Sequence, residues 1–158
     1  MKKKAVIVVV GPSGAGKSTF IDAAGLPDYV YVTSQPMVDE LKCRGLSINH
    51  DTIFELSREW YAKDPFWQVQ RIQGVMENKD FLIVDGSRRM HEITRLREIF
   101  RTIVIAVVSS PETRYGRLKR RAKISLGTAE EFDRLECDEQ MTMDVKALVE
   151  MADFVIQN

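Results

Sequence analysis

The chain has 158 residues, with 23 Lys and Arg against 23 Asp and Glu, so its formal charge at pH 7 is zero. That balance excludes a generally basic nucleic-acid binder, which depends on surplus cations for phosphate contact, although a local basic groove stays possible. Hydrophobic residues at 44% and charged residues at 29% exclude disordered and collagen-like classes and predict one domain over residues 1–158.

The two cysteines, Cys43 and Cys137, make no disulfide scaffold, and no Cys/His cluster has zinc spacing. Both are expected as reduced thiols. Lys2-Lys3-Lys4 and the six apolar residues behind them imitate a signal peptide, but Gly-Pro-Ser-Gly stands where a cleavage site should be. No stretch approaches the roughly 18 apolar residues of a membrane span. The expectation is a cytoplasmic protein without a membrane partner.

In chain order, residues 5–10 (AVIVVV) open as a strand, and a helix over 17–24 comes next, stopped by Gly25 and Pro27. Residues 29–33, 81–84, 102–108 and 154–156 read as further strands. Runs that are apolar at nearly every position indicate strands buried on both faces, as in a parallel sheet covered by helices. Asp64-Pro65 and Ser110-Pro111 each place a capping residue before a proline suited to the first helical position. Thr128-Ala-Glu-Glu131 has capping-box spacing. Strand–helix alternation predicts an α/β fold, a three-layer sandwich around a central parallel five-stranded sheet.

The strongest motif is Gly11-Pro12-Ser13-Gly14-Ala15-Gly16-Lys17-Ser18-Thr19, a full match to G-x-x-x-x-G-K-[ST]. Glycines let the backbone curl until successive N–H groups point at phosphate oxygens. Lys17 supplies a mobile charge near the β- and γ-phosphates, and the Ser18 hydroxyl can ligate Mg²⁺. A buried-strand run before the loop and a helix after it are the context the motif demands. It predicts a nucleoside triphosphate site.

A second anchor lies just past the strand at 81–84, in Asp85-Gly86-Ser87-Arg88. Ligands of open α/β sheets bind at the carboxyl ends of strands, so Asp85 should emerge on the same edge as the phosphate loop. There it could hold Mg²⁺, directly or through water, or orient an attacking hydroxyl. The plain alternative is a cap on the next helix. Arg88 could grip a phosphate bidentately.

Arg114, Arg117 and Arg121 recur at i, i+3 and i+7, so one helical face carries three guanidinium groups. The favoured reading gives them the oxygens of a transferred phosphoryl group. Alternatives are a solvated face paired with acids such as Glu112 and Glu130, or a nucleic-acid groove. The groove lacks interleaved aromatics, so a nucleic-acid partner is not expected. Residues 34–78 are too many for a simple crossover. Their Arg44, His50, Arg58, Trp60, Tyr61, Trp67 and Arg71 suit an acceptor site that stacks a base. Equally, Phe54, Trp60, Tyr61 and Trp67 suit the core of a small helical subdomain. His50 and His91 read as surface or packing residues.

GPSGAGKST at 11–19, DGSRRMHEITRLRE at 85–98, SSPETRYGRLKRR at 109–121 and ADFVIQN at 152–158 together resemble the small P-loop kinases of nucleoside monophosphates and dephospho-coenzyme A. The archaeal adenylate-kinase-related proteins are the nearest in pattern. The resemblance implies a phosphotransferase using ATP and Mg²⁺ on a small nucleotide-like acceptor, most simply a nucleoside monophosphate, in a monomer or homodimer. Dephospho-coenzyme A kinase, a polynucleotide 5′-hydroxyl kinase and a regulatory ATPase are the alternatives.

It further implies an acceptor-binding insertion over 34–78 and a lid over 117–140. Asn158 would border the adenine, Lys17 and Ser18 would handle phosphates and magnesium, and Arg88 would meet the acceptor phosphate. Asp85 would serve the metal or the acceptor, and Arg117 and Arg121 the transferred phosphoryl group. Within its length the pattern departs from the family in two places. Val38 stands about where an acceptor-side arginine usually falls, although Arg44-Gly45-Leu46 matches the family's R-G-L a few positions on. Leu135-Glu136-Cys137-Asp138-Glu139-Gln140 stands where an Arg-Asp pair often does.

Overall fold

The computed structural model describes residues 4–120 and 127–158. Five strands, β1 (Ala5–Val10), β2 (Val30–Val32), β3 (Phe81–Asp85), β4 (Arg101–Val108) and β5 (Phe154–Gln157), form one sheet in the order β2-β3-β1-β4-β5. Every pairing is parallel. The helices are α1 (Lys17–Asp22), α2 (Gln35–Cys43), α3 (His50–Lys63), α4 (Trp67–Met76), α5 (Met90–Ile99), α6 (Pro111–Lys119), α7 (Ala129–Met141) and α8 (Val145–Glu150).

The unbroken apolar runs have the expected cause. In β1 the side chains of Val6, Val8 and Val10 pack with Val69, Ile72 and Met76 of α4, Ile93 and Leu96 of α5, and Leu148 of α8. Ile7 and Val9 point the other way, into a second cluster with Phe20 and Ile21 of α1. A strand covered on both faces cannot alternate apolar with polar, so the sheet reads as continuous valine and isoleucine. The result is a sandwich of helix, sheet and helix.

The helices leaving β1 and β3 therefore pack on opposite faces of the sheet, and the carboxyl ends of these two neighbouring strands flank a crevice. This is the topological position where open α/β sheets bind ligands. Register places Asp85 level with Val9, two residues ahead of the phosphate loop, and Gly86 N–H donates to the Val9 carbonyl at 3.1 Å.

Local differences from expectation have physical reasons. The second strand covers Val30–Val32 rather than 29–33, because Pro27–Tyr29 forms a 3₁₀ turn ahead of it. The first helix ends at Asp22, and Gly25 takes a left-handed φ of 66° in the turns after it. Asp64 does not cap a helix beginning at Pro65. Its carboxylate accepts from the Phe66 N–H at 2.8 Å and from the Gln70 side chain at 2.7 Å, and the helix starts only at Trp67. Ser110 and Thr128 do cap α6 and α7, the latter in a complete capping box.

Residues 34–78 supply α2, α3 and α4, which enclose a cluster of Met37, Leu41, Leu56 and Trp67 with Trp60 and Tyr61 at its margin. The two tryptophans meet edge to face at 4.7 Å between centroids. For Trp60 and Trp67 the core reading holds. Among the described residues no helix is long and apolar enough to cross a membrane.

Candidate functional site

At the carboxyl edge of β1 the chain enters Gly11, Gly14 and Gly16 with φ of 137°, 77° and 100°, values that L side chains rarely adopt. A Cβ on Gly11 would overlap the Val107 carbonyl of β4, and one on Gly16 would overlap the Asn158 amide. The glycines thus let the loop curl and also let it press against β4 and the end of β5. Lys17 folds back, its Nζ donating to the carbonyls of Gly11 at 2.9 Å and Pro12 at 3.0 Å.

A cleft of about 650 Å³ opens over this loop. Of the residues singled out in the sequence, Ser13, Gly14, Gly16, Lys17, Ser18, Thr19, Asp85, Arg88 and Arg117 line it. Gly11 and Ala15 belong to the loop without lining the cleft, and Arg114 and Asn158 lie against the loop instead. Arg121 falls outside the described residues. The opposite wall of the same cleft comes from the 34–78 segment, through Met37, Val38, His50, Phe54, Tyr61 and Gln68, joined by Ser87, Arg89 and Glu92. Val38 is buried, so this position contributes an apolar wall and no cation.

Asp85 ends β3 and is not the cap of the next helix. That helix starts at Met90, and the Asp144 carboxylate accepts from the Met90 N–H at 2.7 Å. Arg88 reaches across the cleft mouth and donates to the Ser13 hydroxyl at 3.1 Å and to Glu139. Arg117 donates to the carbonyls of Gly14 at 3.3 Å and Ala15 at 3.1 Å.

Arg114 is placed differently from its neighbour on the helix. Only 4% exposed, it makes a two-point pair with Glu136 at 2.5 and 2.7 Å and braces the Ser13 carbonyl at 3.4 Å. The acid that neutralises it is neither Glu112 nor Glu130. Asn158 donates its side-chain amide to the Ala15 carbonyl at 3.0 Å, so it too braces the loop.

Three carboxylates in or beside the site were not singled out in the sequence. Glu92, 2% exposed, accepts from the Tyr61 hydroxyl at 2.5 Å and the Ser87 hydroxyl at 2.8 Å. Burial raises its carboxyl above the ordinary value, against the opposing pull of those two hydrogen bonds. Burial also raises the Tyr61 hydroxyl, with the Glu92 charge adding to the effect. Tyr31, which donates to Gln68 at 2.9 Å, is pushed up to about 12, chiefly by burial.

Glu136 and Glu139 are the other two. They sit three residues apart on α7, in the segment where the related kinases often carry Arg-Asp. That departure was the available signal, but only the fold shows which cations they meet.

The donor set also suits magnesium. Ser18 and Asp85 are hard oxygen donors that line the same cleft, and Mg²⁺ is ordinarily held by one or two such groups together with substrate phosphates.

The family model for the AAA domain matches residues 7–149. The chain belongs to the AAA domain family. A UPF0200 protein of Hyperthermus butylicus is 27% identical over 160 residues, covering 97% of this chain and 84% of the relative. One from Staphylothermus marinus is 28% identical, covering 97% and 82%.

Among solved structures, a protein from Chloroflexus aurantiacus superposes with a TM-score of 0.65 at 17% identity, covering 99% of this chain and 88% of that one. Shikimate kinase from Bacteroides thetaiotaomicron superposes at 0.58 with 14% identity, covering 97% and 86%. At such identities the likeness concerns the fold: the chain has the α/β architecture of P-loop kinases.

Proposed function

We propose that the protein is a Mg·ATP-dependent phosphotransferase acting on a small acceptor, with a nucleoside monophosphate as the first substrate to test. One observation carries this reading. The phosphate loop and the wall built by α2, α3 and α4 belong to one cleft, so a nucleotide phosphate and a second molecule would meet there. A nucleotide switch has no need of the second compartment.

Phosphoryl transfer needs positioning and charge compensation more than covalent chemistry. Backbone N–H groups of the loop would hold the β- and γ-phosphates, and Lys17 would leave the Gly11 and Pro12 carbonyls to meet them. Ser18 and Asp85 would hold magnesium, which would supply charge compensation for the phosphates. Arg117, already on the loop, is the cation of α6 poised to face the transferred group, and Arg121, outside the described residues, belongs to the same proposal.

Arg88 would meet the acceptor's phosphate, and Arg89, whose guanidinium lies 4.9 Å over the Tyr61 ring, stands beside it. Phe54, stacked on His50 at 6.0 Å, offers a flat apolar surface for a base. Closure of the 117–140 segment, of which residues 121–126 lie outside the described part of the chain, would follow binding of both substrates, exclude water and suppress ATP hydrolysis.

The test is product-resolved phosphoryl transfer from Mg·ATP to ribo- and deoxynucleoside monophosphates, dephospho-coenzyme A, a 5′-hydroxyl oligonucleotide and small hydroxy acids. The hydroxy acids enter because a shikimate kinase shares the fold. Rapid consumption of a nucleoside monophosphate, lost in Lys17→Ala, is the expected result. Transfer only to a hydroxy acid would keep the kinase and replace its acceptor. ATP turnover indifferent to every acceptor would overturn the reading.

A further inference from the structure

A protein carboxylate is packed on the phosphate loop itself. Glu139 of α7 is 2% exposed. Its two oxygens lie 3.1 Å from the Ser13 backbone nitrogen, and Oε1 accepts from the Ser13 hydroxyl at 2.5 Å. It also pairs with Arg88, whose other terminal nitrogen donates to the same hydroxyl at 3.1 Å. Burial pushes the Glu139 carboxyl up, but Arg88, Ser13 and Lys17 outweigh it and hold the group below its ordinary value. Glu139 is therefore an anion at neutral pH. It uses an amide, a hydroxyl and a guanidinium, the three donor types that recognise phosphate oxygens.

The helix that carries this anion is tied to both halves of the cleft. One turn earlier Glu136 holds Arg114 of α6, and the adjacent Asp138 meets His50 of α3 at 3.0 Å. Arg134 of the same helix lies 3.5 Å from Asp51 of α3. α7 thus links the phosphate loop to the acceptor wall.

We propose that Glu139 is an internal competitor for the phosphate loop, its carboxylate and the terminal phosphate of a nucleoside triphosphate claiming the same Ser13 amide and hydroxyl. The inference rests on the reading of the loop as a nucleotide site. Two anions on one set of donors repel, so nucleotide entry displaces Glu139, frees Arg88 for the acceptor, and loosens α7 from α3. A nucleoside diphosphate, lacking the outermost phosphate, displaces it less.

Equilibrium titration of Mg·ATP and Mg·ADP, with no acceptor present, tests this on the full chain. Glu139→Gln should bind ATP about tenfold more tightly than the unaltered chain, with a smaller gain for ADP. Glu130→Gln removes one charge from an exposed position of the same helix, and binding should stay unchanged there. Equal or weaker ATP binding by folded Glu139→Gln overturns the competitor and leaves the nucleotide site standing. Failure of the unaltered chain to bind ATP at all overturns both.

Should the variant not fold, amide hydrogen exchange of the unaltered chain decides. Exchange across residues 129–141 should quicken with Mg·ATP. Unchanged or slowed exchange overturns the proposal.

Discussion

Asn158, at the end of β5, donates to the Ala15 carbonyl and closes directly over Gly16, whose φ is 100°. The last strand thereby clamps the phosphate loop beside Arg117 of α6, which donates to the same carbonyl at 3.1 Å. Gly16→Ala meets both the left-handed backbone and the Asn158 amide, and it should cost about 1–3 kcal/mol of stability and most of the nucleotide affinity. Asn158→Ala loses one hydrogen bond, about 1 kcal/mol, and should retain binding. Urea unfolding beside nucleotide titration checks both. Gly16→Ala as stable as the parent would refute the clamp.

Lys17 sits on the loop surface, with its ammonium on the carbonyls of Gly11 and Pro12. Lys17→Ala should lower phosphoryl transfer on the order of 100-fold or more while changing stability by about 1 kcal/mol or less. Single-turnover assays on protein of verified fold provide the measurement.

Arg114 is enclosed and Glu136 largely so, with side chains 5% and 21% exposed. Glu136→Ala leaves a guanidinium buried without its partner and should cost about 3 kcal/mol, since removing one member of a buried pair is worse than replacing both. Arg114→Met combined with Glu136→Leu should recover much of that loss. A double-mutant cycle by denaturant titration measures the coupling, and simple additivity would show the pair to be energetically idle.

Glu92 and Glu139 should give stability opposite pH dependences. The folded chain raises the Glu92 carboxyl above the ordinary 4.5, so its contribution is complete below that value and is lost as pH rises through the raised one. Glu139 is lowered from 4.5, so its contribution is present above that value and is lost as pH falls through the lowered one. Glu92→Gln should therefore gain on the parent chain as pH increases, and Glu139→Gln should lose to it. Melting temperatures from about pH 3 to pH 8 test the signs. Parallel curves for all three proteins would contradict both assignments.

Much of this architecture was legible along the chain. The doubly buried strands announced themselves as apolar runs, and the glycine-rich loop with Lys17 and Ser18 announced an anion site. These features are local: strand burial, left-handed glycines and capping boxes depend on residues within one or two turns of each other. Asp85 was readable for a related reason, since a carboxylate ending a buried strand must emerge at the sheet's carboxyl edge wherever that strand is inserted.

The partners of the buried charges were not readable in this way. Arg114, Arg117 and Arg121 share a spacing, yet Arg114 is spent on Glu136 while Arg117 grips the loop. Helical periodicity says which residues share a face but not what that face meets. Glu139 looks along the chain like any acid on a polar helix. Only tertiary structure brings it 126 positions back to Ser13, because ion pairing is set by distance in space and by burial, and neither is encoded in spacing.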